Sequence, residues 1–302
     1  MADYGKNFVQ LHNHTHYSLL DGASKIPDLA KRAAELEMPA VGITDHGNMH
    51  GAYEMYTNCV ANGVKPIIGI EAYVTPETAR QDKSRVHWGT EAQRRDDVSG
   101  GGLITHLTMW AENDEGLVNL IKASSVANLE GRVMRYPRMD KEVLSTYSKG
   151  VIASSGCPSG IIQTRLRLGQ FDEALRAAGE FQDIFGKDNF FIELMDHGLT
   201  IENQVTDDLL TIAKKLDAPL LATNDSHYVH AEDAGAQDAM LCINSGSRLD
   251  DPDRFKFDGT GYYIKTAEEM RELFKDHPDA CDNTLLIAER CNVMFDDHED
   301  GA

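Results

Sequence analysis

The run FVQLHNH at residues 8–14 and the run PLLATNDSHY at residues 219–228 decide how this chain is read. Each is an apolar stretch carrying two potential metal donors at i, i+2 spacing: His12 with His14, and Asp225 with His227. In an extended strand alternate side chains share a face, so each pair projects from one side of its strand, as two ligands of one ion require. A lone histidine in an apolar run is more often a hydrogen-bonded core residue than a ligand. Two such pairs in one chain turn the reading toward metal.

Working outward, seven short apolar runs alternate with helix-like segments: FVQLHNH, PAVGITDHG (39–47), KPIIGIEAYVT (65–75), GLITHLTMW (102–110), GVIASSGCPSG (150–160), FFIELMDHG (190–198) and PLLATNDSHY. Between them IPDLAKRAAELEM after Ser24, GAYEMYTNCVANG, NDEGLVNLIKASSVANLE and QFDEALRAAGEFQDIFG carry helical periodicity. This rhythm is a parallel-sheet signature, either a doubly wound sheet or a closed barrel. In the seven runs the apolar part comes first and the His, Asp, Glu or Cys sits at or just after its C-terminal end. A (β/α) barrel gathers such residues at one mouth, whereas a doubly wound sheet draws mainly on strands beside its switch point. The pattern therefore predicts an α/β barrel of about seven strands. No glycine-rich phosphate loop is present.

Bulk composition narrows the function. The 302 residues have a hydrophobic fraction of 41% and no apolar run near the roughly 18 residues of a membrane span, so a soluble, cytoplasmic protein without a membrane partner is expected. Five cysteines without a CxxC pair argue against a disulfide framework and a zinc ribbon. A net charge of -20 disfavours a free-standing nucleic-acid binder, because carboxylates repel phosphate.

Two regions leave the rhythm. Residues 76–102 form a long polar insertion that concentrates Arg80, Lys83, Arg85, Arg94 and Arg95 with Trp88, a mixture suited to single-strand contact or to a solvated loop. After residue 230 the chain turns to helices around a hairpin-like piece, RFKFDGTGYYIKT, with DGTG as its turn. The expected division is a barrel core over 1–230, a helical and hairpin extension over 231–290, and an acidic tail over 291–302. The acidic last stretch, from Asp276 on, reads as a solvated helix and a frayed end.

Collected at the strand ends are His12, His14, Asp21, His46, Glu71, His106, Cys157, Asp225 and His227. Four protein ligands close a tetrahedral site and three leave room for water, so nine donors are too many for one ion. With one bridging carboxylate they would suit three ions with open positions.

The pieces LHNHTHYSLLDG, GITDHGNMHGA, KPIIGIEAYV, GCPSG, RLRLGQ, ELMDHG, ATNDSHYV and RFKFDGTGYYIK resemble the polymerase and histidinol phosphatase (PHP) domain at the N-terminus of bacterial replicative DNA polymerase III alpha subunits. The resemblance runs from about residue 6 to about residue 290, and GCPSG, LMDHG and FKFDG point to the polymerase branch. It implies a distorted, TIM-like (β/α)7 barrel with a C-terminal helical extension, followed by a junction to a polymerase core.

By motif it implies His12, His14 and Asp225 on a first metal, Glu71 bridging to a second held by His106 and Cys157, and Asp21, His46 and His227 on a third. Glu71, Asp21 and His14 would be the catalytic group. Several family members carry histidine at the position of Cys157; a thiolate favours zinc, while the other donors also suit manganese or iron. His16, Asp196 and His197 would serve as hydrogen-bonding supports or acid/base groups. The implied activity is 3′–5′ exonuclease proofreading by metal-assisted phosphodiester hydrolysis. The implied partners are a DNA primer 3′ end, the remaining polymerase domains and replisome subunits such as the sliding clamp. The rivals are a catalytically silent metal-bound module and, third, a small-molecule phosphatase.

Overall fold

The computed structural model describes residues 7–93 and 101–295. Among these residues there are seven strands: β1 (Ala40–Ile43), β2 (Lys65–Val74), β3 (Thr105–Ala111), β4 (Arg138–Met139), β5 (Val151–Ser154), β6 (Phe190–Leu194) and β7 (Leu220–Ala222). The sheet order is β1-β2-β3-β5-β6-β7, with the two-residue β4 on the far end of β2. The run FVQLHNH joins the sheet's two ends. It bridges β1 in parallel at Gln10 and Val41, and the segment after β7 in parallel at Asn13 and Ser226. His14 N donates to Ser226 O at 2.7 Å and Ser226 N to His12 O at 3.1 Å, so the curled sheet closes into an irregular ring of seven staves. All seven apolar runs are staves, and the mixed α/β barrel expected from the sequence is borne out.

Uniformly parallel pairing is not. β3 runs antiparallel to both β2 and β5. A parallel return needs a crossover, usually a helix. Among its described residues the segment between β2 and β3 contains no α-helix, and the chain re-enters the sheet in the opposite sense. His106 therefore lies at the start of its strand rather than at the end, yet at the same mouth as the other donors.

Alternation along the staves builds three layers inside the ring. At the bottom Val9, Leu11, Ala40, Ile67, Trp110, Ile152, Phe191 and Leu221 form one buried cluster, each stave contributing. Two residues nearer the mouth stand Thr108, Ser154, Glu193 and Thr223, all buried and polar. Next come Glu71, His106 and Asp225. Ile68, Ile70, Ala72 and Val74, the alternate residues of β2, belong instead to the outer core under the helices. Gly69 sits opposite Trp110, where a Cβ would lie 2.4 Å from Met109 O and 2.7 Å from the indole ring. Only glycine leaves room for that indole, whose Nε1 donates to Leu11 O at 3.1 Å.

The outer helices follow the sequence periodicity. Ile26–Glu35 buries Ile26, Leu29, Ala30 and Ala33; its N-cap is Lys25 rather than Ser24. Asp114–Glu130 starts at Asn113, whose side chain accepts from Gly116 N, a conventional asparagine cap. Ala52–Ala61 and Phe171–Phe185 cover the remaining predicted stretches.

The C-terminal part departs from expectation. Helix Pro278–Arg290 is not a solvated helix: Leu285, Ile287 and Ala288, with Cys291, join the bottom layer of the ring. Phe295 packs on Tyr53 and Tyr56 at 5.6 and 5.1 Å, so the described start of the acidic tail is docked. RFKFDGTGYYIKT forms no hairpin. Its partner is the segment after β7: His227 N donates to Tyr262 O at 2.7 Å, and Tyr228 bridges Tyr263 in parallel. Among the described residues no helix is long and apolar enough to cross a membrane, and all five cysteines are buried and unpaired.

Candidate metal centre

The structure brings all nine predicted donors to one mouth of the ring. His12 and His14 leave the first stave, Asp21 the turn after it, and His46 the end of β1. Glu71 comes from β2, His106 from the start of β3, and Asp225 and His227 from beyond β7. Cys157 arrives on the loop GCPSG, which bridges back to β3 at Gly160 and His106, setting Sγ 3.4 Å from His106 Nδ1. Asp225 adopts a left-handed backbone (φ 44), a conformation that aspartate tolerates better than most residues and that turns its carboxylate inward.

Glu71 is the centre. Its Oε1 lies 3.5 Å from His12 Nε2 and 3.1 Å from His106 Nδ1, and its Oε2 lies 3.4 Å from His14 Nε2 and 2.6 Å from His46 Nδ1. Asp225 Oδ1 faces His12 Nε2 at 3.3 Å and His14 Nε2 at 3.0 Å. Asp21 Oδ2 accepts from His46 Nε2 at 2.8 Å and stands 3.6 Å from His227 Nε2. Three overlapping sets have donor atoms within 4.8 Å of one another: His12, His14 and Glu71; His46, Glu71 and His106; His14, His46 and His227.

These short distances are largely not hydrogen bonds. His12 Nε2, His14 Nε2, His46 Nδ1, both oxygens of Glu71, Asp21 Oδ1 and Asp225 Oδ1 are buried without a hydrogen-bond partner. An orphaned buried polar atom costs roughly 1–3 kcal/mol, so seven that converge from six residues require something else to satisfy them. Divalent cations fit: the donor set mixes imidazole, carboxylate and one thiol, and its lone pairs face a common gap.

A buried polar layer fixes the rings that supply those lone pairs. His12 Nδ1 donates to Glu193 Oε1 at 2.7 Å, which leaves Nε2 as the acceptor facing the gap. Glu193 is in turn held by the Ser154 hydroxyl and by Thr223 Oγ1 at 2.6 Å. His14 Nδ1 meets Ser18 Oγ at 2.9 Å, and Ser18 Oγ donates to Asp45 Oδ1 at 2.6 Å. His227 Nδ1 donates to the Asp225 carbonyl at 2.7 Å. Sequence reading missed Glu193, Ser18 and Asp45. Asp45 stands beside His46 in ITDHG, and Glu193 falls on the inward parity of FFIEL, a signal that was available.

Electrostatics without a cation follow from this crowding. Burial works against charge on His12, but Asp225 and Glu193 overcome it and raise its pKa well above the ordinary value. Burial likewise opposes charge on His46, which Tyr73, Glu71 and Asp21 surroundings still raise. His14 goes the other way: burial, then His46 and His227, push it down to about 3. Burial would raise Glu71, yet His106 and His46 hold it well below the usual carboxylate range. Burial, then Glu71 and Asp225, push the Cys157 thiol up, so a nearby cation is needed for it to act as a thiolate.

The residues expected around the centre separate. His197 uses both ring nitrogens, Nδ1 with Glu202 Oε1 at 2.6 Å and Nε2 with Asn224 O at 2.9 Å, and stacks on Tyr262 at 4.1 Å. It braces the backbone next to Asp225 and presents no nitrogen to the gap. Lys265, from the C-terminal part, reinforces that brace by donating to Asn224 Oδ1 at 2.5 Å. Asp196 accepts from Gly198 N in its own turn, and His16 Nδ1 lies 3.4 Å from Ser24 O.

Two arginines of the basic insertion, and its tryptophan, have partners within the fold. Arg80 binds Glu130, Asp140 and Glu142. Arg85 donates to Gly101 O at 2.6 Å, and the guanidinium of Arg165 lies 4.1 Å over the Trp88 ring. Lys83 is exposed. Arg94 and Arg95 lie outside the described residues.

The chain is similar to known proteins. The family pattern described as "PHP domain" matches residues 10–197. DNA polymerase III subunit alpha of Mycobacterium tuberculosis is 56% identical over 97% of this chain and 25% of its own length. The same subunit of Saccharopolyspora erythraea is 57% identical over 96% of this chain and, again, 25% of its length. The chain thus spans about a quarter of the curated relatives it matches. Among solved structures, an amidohydrolase of Chromobacterium violaceum aligns over 73% of this chain and 87% of its own, with 14% identity and a TM-score of 0.44, too loose a likeness to carry an argument.

Proposed function

The chain belongs to the PHP domain family, and from that premise we propose that it is a metal-dependent phosphodiesterase serving as the 3′–5′ exonuclease of a replicative DNA polymerase. The observation that carries this reading is the convergence of seven orphaned buried donor atoms at one mouth of the ring. In this reading His12, His14, Asp225 and Glu71 hold a first ion. Glu71, His106 and Cys157 hold a second, and Asp21, His46 and His227 a third. Zinc, manganese and iron are the candidates, with the thiol favouring zinc.

When bound, such ions supply Lewis-acid activation of water and stabilise charge building on phosphoryl oxygens. The protein's own part is positioning. Glu71, Asp21 and His14 stand at the reacting centre, Glu193 and the Ser18–Asp45 pair hold the imidazoles in register, and the apolar layer beneath excludes water from below. His197, bound at both nitrogens, serves as a brace and not as an acid or base. The partners that follow are a primer 3′ end, the remaining polymerase domains and, for the whole polymerase, the sliding clamp.

The test is release of nucleotides from a labelled 3′-mismatched primer by metal-replete protein, beside Asp21→Asn and His14→Ala. Metal-dependent trimming lost in both variants is the expected result. Full metal content without trimming would favour a metal-bound structural module, and preference for small phosphomonoesters would favour a phosphatase.

A further inference from the structure

Outward from Asp21, His46 and His106 opens a cavity of about 470 Å³ whose far wall carries Tyr136, Arg132 and Arg135. Its size falls within the roughly 300–1,000 Å³ of small-ligand sites. A continuous ladder of rings leads to it from the metal donors. His46 stacks on Tyr73 at 5.8 Å, His106 meets the same ring edge-on at 5.4 Å, and Tyr73 contacts Tyr136 at 5.0 Å. The Arg135 guanidinium caps the ladder 5.3 Å over Tyr136, and its Nη1 donates to Asn244 Oδ1 at 2.6 Å. Across the opening Phe255 is 60% exposed and Leu19 78% exposed, apolar surface that none of the described residues covers.

In a chain of net charge -20, two arginines at this opening are a local exception. A small phosphate would use the guanidinium alone and leave the aromatic wall idle. A nucleotide would use both, phosphate on arginine and base on ring.

Resting on the phosphodiesterase reading above, we propose that this cavity is the subsite for the last nucleotide of a single-stranded 3′ end, with Arg135 and Arg132 on its phosphates and Tyr136 and Phe255 against its base. Arg135 and Tyr136 are binding residues, set one ring beyond the donors. Every base has a π-face, so the subsite tolerates any sequence, and a paired end must fray to reach it.

The experiment titrates metal-loaded protein with a 5′-fluorescein hexathymidylate made cleavage-resistant by phosphorothioate linkages, read by anisotropy. Bound-metal content and melting temperature serve as controls. Arg135→Ala and Tyr136→Leu should each weaken binding by about fivefold or more, given stacking worth about 1–3 kcal/mol per base. Bound metal and melting temperature should stay near those of the wild type. Wild-type protein that binds the oligonucleotide through these residues yet cleaves no DNA would sink the nuclease reading and leave the subsite standing. Trimming of primer ends with affinity unchanged in both variants would do the reverse, and would assign the wall to another occupant such as a protein segment. Absence of any wild-type binding also overturns the subsite.

Discussion

Below Gly69 the ring is filled by Ile67, Trp110, Ile152, Phe191 and Leu221 and sealed by Leu285 and Ala288 of the last helix. Above it the same staves present Glu71, His106, Asp225 and their neighbours, with seven buried atoms lacking partners. The lower half satisfies itself by apolar contact and the Trp110 bond to Leu11 O. The upper half is rigidly braced from beneath by Glu193, Ser154 and Thr223, but its lone pairs are left for a ligand. One set of strands thus carries two kinds of stability, one intrinsic and one conditional, and the two should separate under perturbation.

The largest effect of a single side chain belongs to the lower half. Trp110→Ala removes a fully buried indole and its bond to Leu11 O, and should cost about 3–5 kcal/mol in a denaturant titration. The loss should be the same with and without chelator. A loss that depended on metal would break the separation of the two halves.

Chelation should act on the upper half alone. At free metal a hundredfold above its dissociation constant, each site contributes about 2.7 kcal/mol, which chelator removes. The size should depend on pH. Folded pKa values raised on His12, His46 and His227 give the metal-free protein stability that is present below about pH 6.5 and lost as pH rises through those values. His14, lowered to about 3, has the opposite sign but is one group against three. Metals displace those protons, so the gap in melting temperature between loaded and chelated protein should widen from pH 6 to pH 9. A gap that narrowed would mean that the imidazoles are not the groups being exchanged.

Glu193→Gln sharpens the boundary, since Glu193 touches neither solvent nor the gap. Losing the charged acceptor for His12 Nδ1 should weaken metal binding roughly 10–100-fold, measured by competition with a chromophoric chelator. Unchanged affinity would make Glu193 a part of the packing only.

The sequence made the donors legible because most are reactive side chains at or just past the end of an apolar run, and alternation alone sets His12 with His14 and Asp225 with His227 on shared faces. It also disclosed seven staves, since each must bury both sides. Two things were hidden for physical reasons. The reversal of β3 depends on what residues 76–102 do not form, and a polar loop has no periodicity to announce direction. The role of helix Pro278–Arg290 depends on what lies under it, whereas its acidic composition reports only its outer face.

The smallest effect tests the basic insertion, where the fold gives Arg80 and Arg85 partners that composition does not name. Clustered arginines in a loop read as free cations, but a guanidinium's partners are set by the fold, and carboxylates distant in sequence can claim it. Arg80 meets Glu130 and Glu142 at 2.8 Å and Asp140 at 3.1 Å, tying the loop to two helices. Glu130 and Glu142 are solvent-exposed, so screening limits these pairs, and Arg80→Ala should cost about 1 kcal/mol or less. Affinity for single-stranded DNA should not change, in contrast to Arg135→Ala at the mouth of the centre. If Arg80→Ala weakened DNA binding as much as Arg135→Ala does, its carboxylate partners would have to release it on binding, and Arg80 itself would join the DNA contact that the loop's composition suggests.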